Sequence, residues 1–137
     1  MTDADNADCP RMVLIVDDDR DVREALAEVV LDSDLKPHAA SNGREALELL
    51  RSLPARPCVI LLDIMMPVMD GHAFRAAQLA NDAIKDIPVS VLTAHADAQK
   101  TAHEFSADAW LTKPVPLRTL LDVIERFCPA SCAEATG

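Results

Sequence analysis

The sequence contains no tyrosine, one tryptophan and three phenylalanines, so aromatic residues make up only 3% of its 137 positions. A core must therefore be assembled from Leu, Val, Ile, Ala and Met. Apolar stretches such as 59–62 and 89–92 fall far short of the ~20 residues a membrane-spanning helix needs. Residues 1–8 carry three Asp and no apolar run and so do not resemble a secretory signal, and a cytoplasmic location, with no membrane insertion, is the expectation. Basic residues are outnumbered, 13 Lys and Arg against 23 Asp and Glu, for a net charge of −10. A domain that grips nucleic acid by its phosphates needs a basic surface, and this chain would be repelled. No CxxC occurs among Cys9, Cys58, Cys128 and Cys132, and His38, His72, His95 and His103 show no zinc-site spacing. Free thiols are the expectation, with Cys58 a small core residue and the other three in the tails.

What is present is an alternation. Half of the residues are hydrophobic and 26% are charged, as in an ordinary globular protein, and the length suits a single core. Segment 12–16 is an apolar run that stops at Asp17-Asp18-Asp19. Val22, Ala25, Leu26, Val29, Val30 and Ser33 recur at helical spacing and predict a helix over 20–33. A weak strand is expected over 36–40. Ser41 or Asn42 then caps a helix carrying Ala46, Leu47, Leu50 and Leu53. Segment 58–62 is a second clear strand ending on Asp63, followed by a helix over 72–84. Further expectations are a strand over 89–92 ending on Thr93, a short helix over 97–105, a strand over 107–111, and a last helix with Leu117, Leu120, Leu121, Ile124 and Phe127 on one face. Strands that are continuous apolar runs are covered by helices on both faces, so a doubly wound parallel α/β sheet follows. One folded domain over 12–128 is expected, between a disordered arm (1–11) and a flexible tail (129–137).

In such a sheet, ligands gather outside the carboxyl ends of the strands. The residues at those ends are Asp17, Asp18 and Asp19, then Asp63, Thr93 and Lys113. A lone Asp at a strand end is ordinarily a solvated cap. Several converging carboxylates repel and raise one another's pKa unless a cation offsets them. Magnesium prefers oxygen ligands and takes one or two carboxylates, with water and phosphate oxygens completing its shell. A metal would also remove the repulsion between a carboxylate nucleophile and an incoming phosphoryl group. Lys113 could neutralise a phosphoryl oxygen, a pairing worth on the order of 4 kcal/mol at ~4 Å and an effective dielectric near 20. Thr93 could donate a hydrogen bond to another.

These residues resemble the receiver domain of two-component response regulators. The likeness rests on VLIVDDD (13–19), SNGREAL (41–47), VILLDIMMPVMDG (59–71), IPVSVLTA (87–94) and ADAWLTKP (107–114), and covers about 12–127. It implies a flavodoxin-like (βα)5 fold with strand order 2-1-3-4-5. It implies Asp63 as phosphoacceptor, and Mg2+ held by Asp18, Asp63 and the backbone carbonyl of Met65, with Asp17 acting through water. Thr93 would be the switch hydroxyl and Lys113 the counter-ion, joined to Pro114 by a bond that is cis in the family. Met65 and His95 occupy positions that tune phosphoryl lifetime. Trp110 stands where the family commonly has Tyr or Phe as a rotating switch, and Asp34 and Ser106 stand where it often has Gly. Asp19 reads as a helix N-cap, Asp70 and Gly71 as loop and helix-start residues, and Met66 and Met69 as packing.

The implied function is that of a single-domain response regulator. It would take a phosphoryl group from a histidine kinase or histidine phosphotransfer protein and contact a downstream protein through the 97–127 face. Its only chemistry would be self-catalysed phosphoryl transfer and autodephosphorylation. A relay intermediate or phosphate sink is a variant of this reading. A haloacid dehalogenase-type phosphohydrolase would instead use Asp17 in a DxD motif, but Asp21 replaces its usual Thr or Val. A pseudo-receiver would lack part of the acceptor set, whereas every required side chain is present here.

Overall fold

The computed structural model describes residues 11–66, 68–94 and 98–128. Five strands and five helices alternate: β1 (Met12–Val16), α1 (Arg20–Asp32), β2 (Lys36–Ala40), α2 (Gly43–Ser52), β3 (Val59–Asp63), α3 (Gly71–Leu79), β4 (Val89–Thr93), α4 (Ala98–Glu104), β5 (Ala109–Thr112) and α5 (Leu117–Phe127). All neighbouring strands are parallel, in the order β2-β1-β3-β4-β5. This is the doubly wound flavodoxin-like sheet that the strand–helix alternation and the resemblance implied.

Alternation along each strand feeds two cores. Leu14, Val16, Ile60, Leu62, Val89 and Val91 face Ala46 of α2, Phe74 of α3 and Ala102 of α4. Val13, Ile15, Val59, Leu61, Leu92 and Leu111 face Leu26 and Val30 of α1 and Leu120, Val123 and Ile124 of α5. Burial on both faces explains why β1 and β3 read as continuous apolar runs, and why β4 breaks its own only with the small, buried Ser90.

Local chemistry sets the helix starts. Asp19 accepts from the amides of Asp21 and Val22, Asn42 from Glu45, and Asp70 from Ala73, so each is an N-cap. Glu45 in turn accepts from the Ser41 amide. Two glycines are demanded by close approach. A Cβ on Gly43 would lie 2.5 Å from the Met69 carbonyl oxygen, and one on Gly71 would lie 2.7 Å from the Ile64 Cα. Asp34 and Ser106 do adopt the left-handed turn that glycine favours, with φ of 62° and 54°. Each closes a helix: Leu35 N–H bonds to Val30 and Asp34 N–H to Leu31 after α1, and Ala107 N–H bonds to Ala102 and Ser106 N–H to His103 after α4. A non-glycine residue there costs about 1 kcal/mol.

Several expected boundaries shift. The helix predicted over 72–84 ends at Leu79. The Asn81 side chain accepts from the Ala83 amide, and the buried Gln78 amide donates to the Ile84 and Ile87 carbonyls, so 80–87 folds as turns. The last strand starts at Ala109 rather than 107, because Ala107 N–H closes α4 and Asp108 N–H bonds to the Val89 carbonyl. Arg11, assigned to the arm, accepts from the Lys36 amide at the edge of the sheet; 1–10 and 129–137 lie outside the described residues.

The cysteine expectation fails for one pair. Cys58 and Cys128 form a disulfide, with Cα atoms 5.5 Å apart. Cys58 sits just before β3, at the amino edge of the sheet, and α5 runs back from the carboxyl rim to that same edge. A separation of 70 residues hid this meeting. Cys9 and Cys132 lie outside the described residues. Closing a loop of 70 residues removes conformational entropy from the unfolded chain, about 4 kcal/mol in the loop-entropy account. Urea unfolding with and without a thiol reductant should therefore show a loss of up to that amount on reduction. Equal midpoints in both conditions would mean that the pair is not joined.

Candidate functional site

The carboxyl ends of β1, β3, β4 and β5 form one rim, because the registers align them: Val16 pairs with Leu62, Asp63 with Leu92, and Thr93 with Thr112. Asp17, Asp18 and Asp63 meet there, each offering a carboxylate oxygen within 4.8 Å of the others. Asp17 is 0% and Asp63 3% exposed, whereas Asp18 faces solvent. Lys113 reaches in from the end of β5, with Nζ 2.7 Å from Asp17 Oδ2 and 3.5 Å from Asp63 Oδ2. Thr93 is buried at the end of β4, and its carbonyl accepts from the Lys113 amide. The peptide bond between Lys113 and Pro114 is cis, as the resemblance implied.

Backbone contacts hold these groups in place. The Asp19 amide donates to Asp17 Oδ1, and the Asp17 amide donates to the Ala40 carbonyl. The Met65 amide donates to Asp63 Oδ1, which turns the loop after β3 back over the carboxylate. Gly71 N–H bonds to the Ile64 carbonyl and closes that loop. Met65 itself is exposed, and Trp110 is 43% exposed on the outer side of β5. His95 lies outside the described residues.

Two features were not read from the sequence. Arg23 donates to the Asp17 carbonyl at 2.7 Å and so fixes the backbone beneath the acidic pair. Its signal was its place in the first turn of α1, from which a long side chain can reach back to the strand end. Lys113 is also nearer to Asp17 than to Asp63, although the resemblance pairs it with the phosphoryl group.

Burial pushes the Asp63 carboxyl up to about 6, from an ordinary 3.8. The Met65 amide works against that rise, Asp17 adds to it, Lys113 opposes it, and Asp18 adds a little. Burial likewise disfavours the Lys113 ammonium, but the hydrogen bond and charge of Asp17, then those of Asp63, outweigh it and raise its pKa. Three carboxylates thus converge where one ammonium pairs with two of them. An all-oxygen donor set with uncompensated negative charge fits a hard divalent cation, so this acidic pocket is able to bind a metal.

The sign of the pH effect follows from the raised pKa. Folded Asp63 holds its proton more tightly than the unfolded chain does. Its contribution to stability is therefore greatest below about pH 4 and falls as pH rises to about 6. At 1.36 kcal/mol per unit, the loss is roughly 3 kcal/mol. Asp63→Asn should accordingly stabilise the metal-free protein by an amount of that order at pH 7.5, and by little at pH 4, in paired urea titrations. A stabilisation that does not vary with pH would contradict the assignment.

Comparison with known proteins agrees with this geometry. Residues 13–125 match the model of the response regulator receiver domain. Response regulator MprA of Mycolicibacterium vanbaalenii is 38% identical over 115 residues, which is 82% of this chain and 48% of that protein. The positive alginate biosynthesis regulatory protein of Pseudomonas aeruginosa is 41% identical over 120 residues, 83% of this chain and 46% of that one. The chain thus spans about half the length of these curated relatives. Among solved structures, the chemotaxis protein CheY4 of Vibrio cholerae is similar with a TM-score of 0.77 and 31% identity, over 87% of this chain and 99% of that one. Fold, rim and sequence agree: the chain belongs to the response regulator receiver domain family.

Proposed function

We propose that this chain accepts a phosphoryl group on Asp63 from the phosphohistidine of a histidine kinase or phosphotransfer protein, and signals by a contact that depends on that phosphorylation. The observation that carries the reading is the convergence of Asp17, Asp18 and Asp63 with Lys113 on one rim. An Asp63 carboxylate oxygen attacks phosphorus, the P–N bond breaks, and the imidazole leaves with the bonding electrons. Water attack on the phosphorus of the resulting acyl phosphate later breaks its bond to the Asp63 oxygen, releasing inorganic phosphate and restoring the carboxylate. With a pKa of about 6, Asp63 is largely ionised at neutral pH and available as the nucleophile.

Asp18, Asp63 and the Met65 carbonyl would hold Mg2+, with Asp17 contributing through water. When bound, the ion neutralises the approaching anions and orients the displacement. Lys113 would move its charge from the carboxylates toward the phosphoryl oxygens. The Thr93 hydroxyl would donate to one of them, drawing on β4, which lies beside the strand that bears Trp110. Met65 and His95 would set how readily water reaches the acyl phosphate. The 97–127 face, including Trp110, would meet the downstream protein. No turnover of an external substrate is proposed. Cytoplasmic residence is the matching location, and among the described residues no helix is long and apolar enough to cross a membrane.

The likeness to CheY4, which this chain matches over nearly all of its length, supports the receiver reading, while the curated relatives carry about as much chain again. A relay or phosphate-sink role is the variant of this reading. The dehalogenase-type reading is disfavoured. Its nucleophile would be Asp17, the carboxylate that Lys113 holds more closely, at 2.7 Å against 3.5 Å for Asp63.

Beryllofluoride with magnesium should change Trp110 fluorescence in the native protein and leave Asp63→Asn unchanged. If acetyl phosphate labels Asp63 while Trp110 stays silent, the acceptor role survives and the aromatic switch is lost. If neither reagent modifies the protein, the acceptor role itself is refuted.

A further inference from the structure

Arg75 is a buried cation outside the acidic rim. Its side chain leaves α3 and is 7% exposed, and no carboxylate forms an ion pair with it among the described residues. Its hydrogen-bond partners are neutral, and the carboxylate that acts on its charge is that of Asp108, which works against the effect of burial. Nε donates to the Phe105 carbonyl at 3.0 Å, one terminal nitrogen to the Ser106 carbonyl at 2.8 Å, and the other to Gln78 Oε1 at 2.7 Å. Gln78 then donates to the Ile84 and Ile87 carbonyls. A single side-chain network therefore joins α3, the turn leading into β4, and the C-terminal end of α4.

The placement at α4 is specific. Phe105 and Ser106 are the two residues of its closing turn, and Ser106 occupies the left-handed position without being glycine. The closing turn satisfies carbonyls inside the helix but leaves those of Phe105 and Ser106 outward, and the guanidinium takes both. A cation at this end also complements the helix dipole. Phe105 is further pinned by the His72 ring, with centroids 4.2 Å apart, and its edge lies against Gly71. The polypeptide enters α4 from Thr93, at the rim, and leaves it at this fastened end.

We propose that Arg75 is the fulcrum of α4, fixing its C-terminal end to α3 so that rearrangement beginning at Thr93 reaches the outer face as rotation about Phe105 and Ser106. The rotation rests on the phosphoryl-acceptor reading above; the fastening does not. Arg75 acts through backbone carbonyls and is a positioning residue.

Amide hydrogen exchange on the full chain tests both parts, with and without beryllofluoride and magnesium. In the free state, Arg75→Met should speed exchange at Phe105, Ser106 and Ala107 by about ten-fold or more, with β1 and β3 amides unchanged. Ser106→Gly, which keeps both acceptor carbonyls, should not. In the native protein, beryllofluoride should alter exchange in the first turn of α4 and leave 105–107 within about two-fold of the free state. In Arg75→Met the change should spread through 105–107, while acetyl phosphate still labels Asp63 at the native rate. Acceleration spread evenly over β1, β3 and α4, or none at all, overturns the fastening. A native response as large at 105–107 as at the start of α4 overturns the fulcrum. No exchange response to beryllofluoride anywhere removes the acceptor reading, and the rotation with it, while the free-state comparison still decides the fastening.

Discussion

Three carboxylates held within 4.8 Å of one another, two of them buried, are the condition to which the rest of this molecule is fitted. Left alone they would repel, and water would be the cheapest remedy. Here the sheet excludes water from Asp17 and Asp63, so relief must come from Lys113, from backbone amides and, below about pH 6, from a proton on Asp63. Each remedy is partial. The remaining negative charge is what gives the rim an appetite for a divalent cation and, through it, for a phosphoryl group.

The scaffold delivers this arrangement by parallel pairing alone. Four strands arrive in register and release their chains at one edge, and helices on both faces seal the apolar flanks. The turns that follow are tailored more locally. Asp19 serves as a cap and also lends its amide to Asp17, so starting α1 and holding the acidic pair are one event. Gly71 does the same for α3 and the loop over Asp63, since a side chain there would strike Ile64.

Much of this was legible in sequence because it is local. The β1 and β2 boundaries, the cap at Asp19, a cap at Ser41 or Asn42, Asp70 as a helix-start residue, and the rim identities of Asp17, Asp63, Thr93 and Lys113 all follow from short-range pattern and from parallel topology. The failures share the opposite property. Cys58 and Cys128 meet only after the whole sheet has formed. The end of α3 depends on Gln78 reaching carbonyls beyond its own helix, and Arg75 finds its partners only across α4. Arg23 and the preference of Lys113 for Asp17 required side-chain geometry that spacing does not encode.

In-register strands also decide where this chain can change length. One residue gained or lost within β1, β3, β4 or β5 would move its rim residue by about 3.3 Å and turn its side chain to the opposite face of the sheet. No neighbouring strand could follow without breaking its own pairing. Insertions should thus be confined to turns on the amino edge, such as 53–57, which lie away from the carboxylates. Divergence in such a protein would proceed by lengthening one end of the molecule while the spacing of the other is held to a single residue.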